Sequence, residues 1–333
     1  MSTQVHYRSV GVRGHEVFYR EAGPADAPAL LLLHGFPTSS HMFRDLIPRL
    51  SHRYRVLAPD HLGFGRSSAP AADAFPYTFA ELAAVTAEFT EAVGLDRFAL
   101  YVQDYGAPIG LRLALAHPER VTAIVTQNGN AYEEGLGKEA WAPVFAYTAE
   151  PSEETAAPVH AIRSPEGIQW QYTHGVPDQS LLSPDAWEHD VALMAREGQG
   201  AIQFALITDY GSNIALYPDF HTYFRERQVP LLAVWGGHDE IFVPAGALAF
   251  QRDLPQAEIH LLPTGHFALE THAEQIAGLM DDFLVREVAQ AHTTPPPAGV
   301  GPRPGAGFRG QAPRGGVSPC AGSRTRSAGP ASP

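Results

Sequence analysis

Three polar residues that each follow an apolar run have the side-chain types of a hydrolytic triad. Asp104 comes after the run 98–102, Asp239 after 231–235 and His266 after 258–262. A carboxylate needs no deprotonation to attack saturated carbon, and the product of that attack is an alkyl ester on the protein. Hydrolysis of the ester then requires a general base, an acid that orients the base, and donors for the oxyanion. We predict Asp104 as nucleophile, His266 as base and Asp239 as its orienting acid.

The stretch 100–110, Leu-Tyr-Val-Gln-Asp-Tyr-Gly-Ala-Pro-Ile-Gly, predicts a sharp turn from a buried strand into a helix. Such a turn strains the residue at its tip and presents the side chain above the sheet. The usual form of this elbow is G-x-S-x-G, whereas here Val102 replaces the first glycine and Asp104 replaces the serine. The aspartate indicates attack on alkyl carbon rather than on an acyl group.

A second loop, His34-Gly35-Phe36-Pro37, follows the predicted strand 29–33 and has the composition of an oxyanion loop. We expect the backbone N–H groups of Phe36 and Tyr105 to form the oxyanion hole. The glycine-rich stretch 59–67 lacks the G-K-[ST] of a phosphate-binding loop. Its Asp60 is therefore interpreted as a structural turn carboxylate.

The alternation of strand and helix patterns predicts an α/β fold. Its centre is a mostly parallel eight-stranded sheet flanked by helices, with a helical cap insertion. The core is predicted at 1–129 and 228–290, the cap at 130–227, and a disordered tail rich in Pro, Gly, Ala and Arg at 291–333. Because the carboxyl ends of parallel strands share one sheet edge, Asp104, Asp239 and His266 can converge.

Composition narrows the classes of function. The chain has 333 residues with 44% hydrophobic content and a formal net charge of −13, which disfavours nucleic acid and anionic membranes as partners. The single cysteine, Cys320, excludes an intrachain disulfide, and no H-E-x-x-H or similar metal-ligand spacing occurs. The N-terminus has no apolar signal region and no run of eighteen apolar residues is present. We expect a cytoplasmic protein without cofactor or metal that acts on a small apolar substrate with water.

The chain contains four motifs in an order that resembles the α/β-hydrolase superfamily. They are His34 to Pro37, the aspartate elbow, Gly237-His-Asp239 and Gly265-His266. Within it they are similar to the branch of epoxide hydrolases and haloalkane dehalogenases, over about residues 5–288. The resemblance implies a two-step reaction. Asp104 would attack substrate carbon, and His266, oriented by Asp239, would then activate water against the ester.

Epoxide hydrolases and haloalkane dehalogenases differ in the residues that stabilise the leaving group. Dehalogenases of this kind hold the halide with N–H donors beside the nucleophile and in the H-G-x-P loop, where this chain has Tyr105 and Phe36. Epoxide hydrolases resemble each other in using two cap tyrosines as O–H donors to the oxygen of the opening epoxide. Tyr147, in Tyr-Thr-Ala-Glu-Pro, and Tyr210, in Asp-Tyr-Gly-Ser-Asn, resemble these two residues. We therefore predict hydrolysis of an epoxide to a vicinal diol, with both tyrosines in the site.

Two alternatives remain at this stage. A haloalkane dehalogenase with the same triad would need an indole donor from the cap, and the V-Q-D stretch before the elbow is similar to some dehalogenases. The candidate donors are Trp141, Trp170 and Trp187. A binding protein on a catalytically idle scaffold would have lost a triad member, and all three are present.

Overall fold

A computed structural model describes the backbone of residues 4–293 and the side chains of residues 4–287. Of the predicted tail, only residues 291–293 fall within this range, where they form the end of the last helix, and the rest lies outside the described residues.

The fold is built on one eight-stranded sheet with the strand order β1-β2-β4-β3-β5-β6-β7-β8. The pairs β1–β2 and β2–β4 are antiparallel and all the others are parallel, which confirms the prediction of a mostly parallel eight-stranded sheet. The strands are β1 (His6–Val12), β2 (His15–Ala22), β3 (Ala29–Leu33), β4 (Arg55–Pro59), β5 (Phe98–Gln103), β6 (Val121–Gln127), β7 (Leu231–Gly236) and β8 (Glu258–Leu262).

Helices cover both faces of the sheet and fill the interval between β6 and β7. They are α1 (Ile47–Leu50), α2 (Phe79–Ala92), α3 (Gly106–Ala116), α4 (Lys138–Ala149), α5 (Glu153–Ala161), α6 (Pro165–Thr173), α7 (Pro184–Met194), α8 (Gln199–Thr208), α9 (Gly211–Ile214), α10 (Tyr217–Arg227), α11 (Pro244–Asp253) and α12 (Ala268–Thr293).

The central strands are buried on both faces, which explains their continuous apolar sequences. Leu30 to Leu33 of β3 have no exposed surface, and Leu31 pairs with Leu100 of β5. Helix α3 packs closely on these strands because Gly110 has no side chain. A Cβ there would lie 2.7 Å from Val102 Cγ1 and 2.9 Å from Leu100 Cδ2. This close packing fixes the helix that begins directly after Asp104.

One predicted helix differs in the structure. The apolar period over 43–50 predicts a continuous helix, but the chain forms a 3₁₀ turn at Ser40–Phe43 and a separate short α1. Pro48 lies in the first turn of α1, where its missing N–H is not needed. In a continuous helix Pro48 would be an interior residue without an amide to donate, so the helix breaks before it.

The helices between β6 and β7 contact the loops after the carboxyl ends of several core strands. Gln199 of α8 donates to the Gly63 carbonyl in the loop after β4, and Trp141 of α4 donates to the Ile241 carbonyl after β7. Tyr172 of α6 stacks on Phe267 after β8 with ring centroids 3.9 Å apart. We use "cap" for residues 130–227. Across the described part of the chain, no helix combines the length and the apolar character that a membrane crossing requires.

Candidate active site

Asp104 lies at the turn between β5 and α3 with a φ of +48°, the left-handed conformation of a strained elbow. Two glycines make this turn possible. A Cβ on Gly106 would lie 2.2 Å from the Leu33 carbonyl oxygen, and one on Gly35 would lie 2.4 Å from Asp104 Oδ1. The elbow and the loop after β3 therefore approach each other at backbone distance.

Both predicted oxyanion donors point at one oxygen of Asp104. The backbone N–H of Phe36 donates to Oδ1 at 2.7 Å and that of Tyr105 donates to the same atom at 2.6 Å. The other oxygen, Oδ2, lies 3.8 Å from His266 Nε2. The two carboxylate oxygens thus have different surroundings, one fixed by amides and one facing the imidazole.

The histidine loop after β8 completes the triad. His266 is buried, and its Nδ1 lies 2.8 Å from Asp239 Oδ2. Its Nε2 lies 2.9 Å from the side-chain amide of Gln103, the residue before the elbow tip. The structure therefore brings together Asp104, Asp239 and His266 from three strand ends that are distant in the sequence.

Burial and charge set the protonation of this group. Burial raises the pKa of Asp104 to about 6, and the neighbouring His266 and the two backbone N–H groups limit the rise. Burial also disfavours the charge on His266, but the Asp239 carboxylate and then Asp104 raise the pKa of the imidazole above its ordinary value. Removal of the Asp104 charge would therefore lower the pKa of His266.

Two residues that the sequence analysis did not single out hold the acid and the base in place. Asn128, at a φ of +49°, donates from Nδ2 to Asp239 Oδ2 at 2.7 Å and accepts from the Gly236 N–H at 2.9 Å. Gln127 donates to the His266 carbonyl at 2.7 Å. The signal for these residues was a polar Gln-Asn pair directly after an apolar strand, at the edge where the catalytic loops meet.

A buried pair of histidines supports the oxyanion loop. The ring of His34 bridges its own loop and the loop after β4, because Nδ1 lies 2.9 Å from the Gly35 carbonyl and Nε2 accepts from the His61 N–H at 3.1 Å. Burial lowers the pKa of His34 to about 4, so the ring is neutral at pH 7. Asp60 accepts from the N–H groups of Ser40 and Arg66 at 2.7 Å each, which agrees with its interpretation as a structural carboxylate.

The predicted cap tyrosines lie in different surroundings. Tyr210 is buried, and its ring packs against Trp141 at 4.2 Å and against Tyr105 at 6.2 Å between centroids. Its hydroxyl interacts with the Tyr217 phenol and makes no hydrogen bond to a carboxylate or a backbone group among the described residues. Burial raises the pKa of Tyr210 well above the usual range, with further contributions from Tyr217 and Asp104. The hydroxyl is therefore a protonated donor close to the nucleophile.

Tyr147 is only half-buried and packs edge-on against Phe204 with centroids 4.9 Å apart. Phe204 in turn lines a small pocket together with Phe36 and Tyr105, and Tyr147 is not one of the lining residues. No hydrogen bond or aromatic contact within the described residues links Tyr147 to Asp104 or Tyr210, so the structure does not bring it to the triad. Its part in the reaction stays a prediction.

The three cap tryptophans do not direct a free indole N–H at the nucleophile in any contact among residues 4–287. Trp141 Nε1 donates to the Ile241 carbonyl at 3.0 Å. Trp170 is 40% exposed and stacks on His174, and Trp187 packs near Tyr172 at 6.3 Å. Within the same residues, no group of three or more His, Cys, Asp or Glu side chains is arranged to hold a metal ion.

The strand order, the aspartate elbow and the His266–Asp239 pair define an α/β hydrolase. Residues 28–273 match the family described as alpha/beta hydrolase fold, and the chain belongs to that family.

The chain is similar to several known proteins of this fold. It is 43% identical over 267 residues to an uncharacterized hydrolase of Saccharomyces cerevisiae, an alignment that covers 79% of this chain and 91% of the yeast protein. A haloalkane dehalogenase of Mycobacterium marinum is 44% identical over 112 residues, which is 33% of this chain and 37% of the dehalogenase. Among solved structures, the epoxide hydrolase CorEH superposes with a TM-score of 0.69 at 18% identity, covering 85% of this chain and 99% of CorEH. The yeast relative shows a hydrolase of this family, the dehalogenase match is a local sequence similarity, and the likeness to CorEH shows the shared fold.

Proposed function

We propose that this hydrolase opens an epoxide to a vicinal diol through an alkyl ester at Asp104. The observation that carries the proposal is the Tyr210 hydroxyl, which is buried near Asp104, protonated, and in contact with a second phenol, Tyr217, rather than with a carboxylate or a backbone group of the described residues. An opening epoxide develops an alkoxide, and a phenol can donate a hydrogen bond or a proton to that oxygen. A departing halide would instead be stabilised by N–H donors.

In the first step, Asp104 Oδ2 attacks an epoxide carbon while Oδ1 remains held by the N–H groups of Phe36 and Tyr105. The C–O bond of the ring breaks, and the released alkoxide takes the proton of Tyr210. Because Asp104 is fixed at the elbow by two amides, the attack requires no rearrangement of the carboxylate.

In the second step, the loss of charge on Asp104 lowers the pKa of His266. The ester no longer stabilises the imidazolium, so the pKa of His266 falls and the neutral ring can accept a proton from water. The water takes the position on Nε2 that the Gln103 amide occupies, and attacks the ester carbonyl carbon. The oxyanion forms at Oδ1, where the two N–H groups already point. The bond between carbonyl carbon and alkoxy oxygen then breaks, His266 protonates the departing oxygen, and the diol leaves. The Asp104 carboxyl still carries the second proton of the water; it loses this proton as the Tyr210 phenolate takes one up through solvent, so both groups return to their starting forms.

A second phenol would strengthen the stabilisation of the alkoxide. The sequence resemblance assigns this part to Tyr147, which would have to move from Phe204 toward Asp104. Tyr217 is a second candidate, since its hydroxyl accepts from Asn130 Nδ2 at 3.3 Å and it contributes to the raised pKa of Tyr210. Burial raises the pKa of Tyr217 to about 12, so it too is protonated at neutral pH.

Dehalogenation of an alkyl halide is the second candidate function, and the local similarity to the mycobacterial dehalogenase favours it. The same Asp104, Asp239 and His266 would perform both steps. The halide, however, would need N–H donors, and the cap indole that packs against Tyr210, Trp141, already donates to the Ile241 carbonyl.

Turnover of two matched substrate panels tests the proposal. Aryl and alkyl epoxides are assayed for diol, and terminal bromo- and chloroalkanes of the same carbon skeletons are assayed for halide release. We expect diol without halide. Halide without diol would replace the proposal by dehalogenation, and product from neither panel would contradict both.

A further inference from the structure

Two glutamines on neighbouring strands contact His266. Gln103 ends β5 and Gln127 ends β6, and the two residues are paired in register across the parallel sheet. Gln127 Nε2 donates to the His266 carbonyl at 2.7 Å, whereas Gln103 Nε2 lies 2.9 Å from His266 Nε2, at the other end of the residue. One glutamine therefore fixes the backbone of the histidine, and the other contacts the ring nitrogen that would accept a proton from water.

The side-chain oxygens of these two glutamines differ in their hydrogen bonds. Gln127 Oε1 accepts from the Tyr101 hydroxyl at 3.1 Å, and its Nε2 also donates to Asn128 Oδ1 at 3.0 Å. Gln103 has no exposed surface, and its Oε1 has no hydrogen-bond partner among the described residues. A buried carbonyl oxygen without a donor costs free energy, and such atoms are uncommon outside sites where a reacting molecule supplies the donor. Beside Asp104, the reacting molecule with hydrogens to donate is the hydrolytic water.

The Gln103 side chain can change its contacts while the strand stays in place. Its backbone belongs to β5, and Asp104 directly after it is held by the N–H groups of Phe36 and Tyr105. The last torsion of a glutamine side chain, about the bond between Cγ and Cδ, has a broad energy minimum, so the amide plane can rotate. Rotation would take the amide N–H away from His266 Nε2 and bring Oε1 within reach of a molecule bound to that nitrogen.

We propose that Gln103 positions the water that hydrolyses the ester at Asp104, which rests on the alkyl ester of the proposed function. In the ester intermediate the water donates one hydrogen to His266 Nε2 and the other to Gln103 Oε1, so that a lone pair of its oxygen faces the ester carbonyl carbon. His266 takes the first proton as the new C–O bond forms, the π electron pair of the carbonyl moves to Asp104 Oδ1, and the second hydrogen stays on the attacking oxygen. Two fixed acceptors restrict the orientation of the water, which lowers the entropy cost of the attack.

The test measures the two steps separately with an epoxide of the substrate panel, by rapid quenching and mass analysis of the Asp104 peptide. Gln103→Met keeps the length of the side chain and removes both polar atoms. Ester formation should stay within about threefold of wild type, and ester hydrolysis should slow by about 10- to 100-fold, the range of one lost hydrogen bond, so that the ester accumulates.

Gln103→Glu restores an acceptor oxygen without the amide N–H. Its hydrolysis rate should lie between the rates of Gln103→Met and wild type. The rate is read from the plateau of a pH profile, because the added charge shifts the pKa of His266. Gln251→Met, at an exposed glutamine of α11 whose amide donates to the Ala257 carbonyl, is the matched control and should change neither step.

Equal slowing of both steps in Gln103→Met would show a structural role for Gln103 and overturn the proposal, as would unchanged hydrolysis. Hydrolysis in Gln103→Glu as slow as in Gln103→Met would also overturn it, because the acceptor oxygen would then contribute nothing.

A crystal structure of Asp104→Asn tests the proposal without turnover, since the side-chain amide is uncharged like the ester. A water within hydrogen-bond distance of both His266 Nε2 and Gln103 Oε1 supports the proposal even if no epoxide is opened. An amide N–H that still lies on His266 Nε2, without such a water, overturns it. An Asp104 that no epoxide alkylates would contradict the proposed function alone.

Discussion

The floor of the active site and the cap above it differ in how their polar groups are satisfied. In the core, the two oxygens of Asp239 accept from Asn128 and from the Ile241 N–H at 2.7 Å each, and Asp104 Oδ1 accepts two further backbone N–H bonds. In the cap, the Tyr210 hydroxyl interacts with the Tyr217 phenol and has no carboxylate or backbone partner among the described residues; on the floor, Gln103 Oε1 is the atom beside Asp104 that lacks a partner. The difference indicates that core and cap have different roles in the site. Under the proposed function, the core would hold the groups that every substrate of this chemistry needs, and the cap would present phenol donors to the substrate.

The largest expected effect is in the core. Asp104→Asn removes the nucleophile but keeps the fold, because asparagine tolerates a positive φ and can accept the same two N–H bonds. We expect turnover to fall at least about 10³-fold. Steady-state diol formation measures it, and the peptide mass verifies that the amide is intact. Activity within tenfold of wild type would place the nucleophile elsewhere.

In the cap, three Tyr→Phe variants separate the candidates for the acid. Tyr210→Phe should slow epoxide opening by about 10-fold or more, because a hydrogen bond to the developing alkoxide is lost. A smaller loss in either Tyr147→Phe or Tyr217→Phe would identify the second phenol. The rate of ester formation under single-turnover conditions is the measurement. Unchanged opening in Tyr210→Phe would remove the observation on which the epoxide assignment rests.

The pH dependence of ester formation reports the ionisation of Asp104 on the floor of the site. The attacking form of Asp104 is ionised and its pKa is about 6, so the rate should rise about tenfold from pH 5 to pH 7 and then level off. Tyr210 and Tyr217 do not titrate in this range, since burial raises the pKa of both above the usual value. Stopped-flow traces with excess substrate provide the profile. A flat profile between pH 5 and pH 7 would mean that Asp104 ionises below pH 5.

The smallest effect is on stability. The pKa of Asp104 is higher in the folded protein than its ordinary value of 3.8, so the folded state binds more protons and this group makes folding less favourable as the pH rises from about 4 to 6. Asp104→Asn should therefore be more stable than wild type at pH 7 by about 1–3 kcal/mol, with the difference lost below pH 4. Thermal unfolding at both pH values checks the sign. A variant that is less stable than wild type at pH 7 would contradict it.

Much of the core could be predicted from the sequence because its elements are short and strongly patterned. The buried strand β3, with four leucines in a row, and the turn from Val102 to Gly106 permit few alternatives. Parallel strands then bring their carboxyl ends to one edge, which places Asp104, Asp239 and His266 together regardless of their separation in the chain. The positions of Asn128 and Gln127 required the three-dimensional arrangement, because a Gln-Asn pair after a strand has no fixed partner in the sequence.

The cap was less predictable for a physical reason. A helical tyrosine can pack through its ring or donate through its hydroxyl, and only the surrounding helices decide which. Tyr147 and Tyr210 have similar local signals, but one packs on Phe204 and the other lies between Trp141 and Tyr105.

The measurement that tests the central claim most directly is the mass of His266→Gln after incubation with an epoxide that the wild-type enzyme opens. The account predicts that Asp104 is still alkylated, that hydrolysis stops, and that the peptide carrying Asp104 gains the mass of one substrate molecule. Alkaline treatment should then release the diol. An unmodified Asp104 peptide, with substrate binding intact, would contradict the covalent ester and with it the division of work between His266 and Asp104.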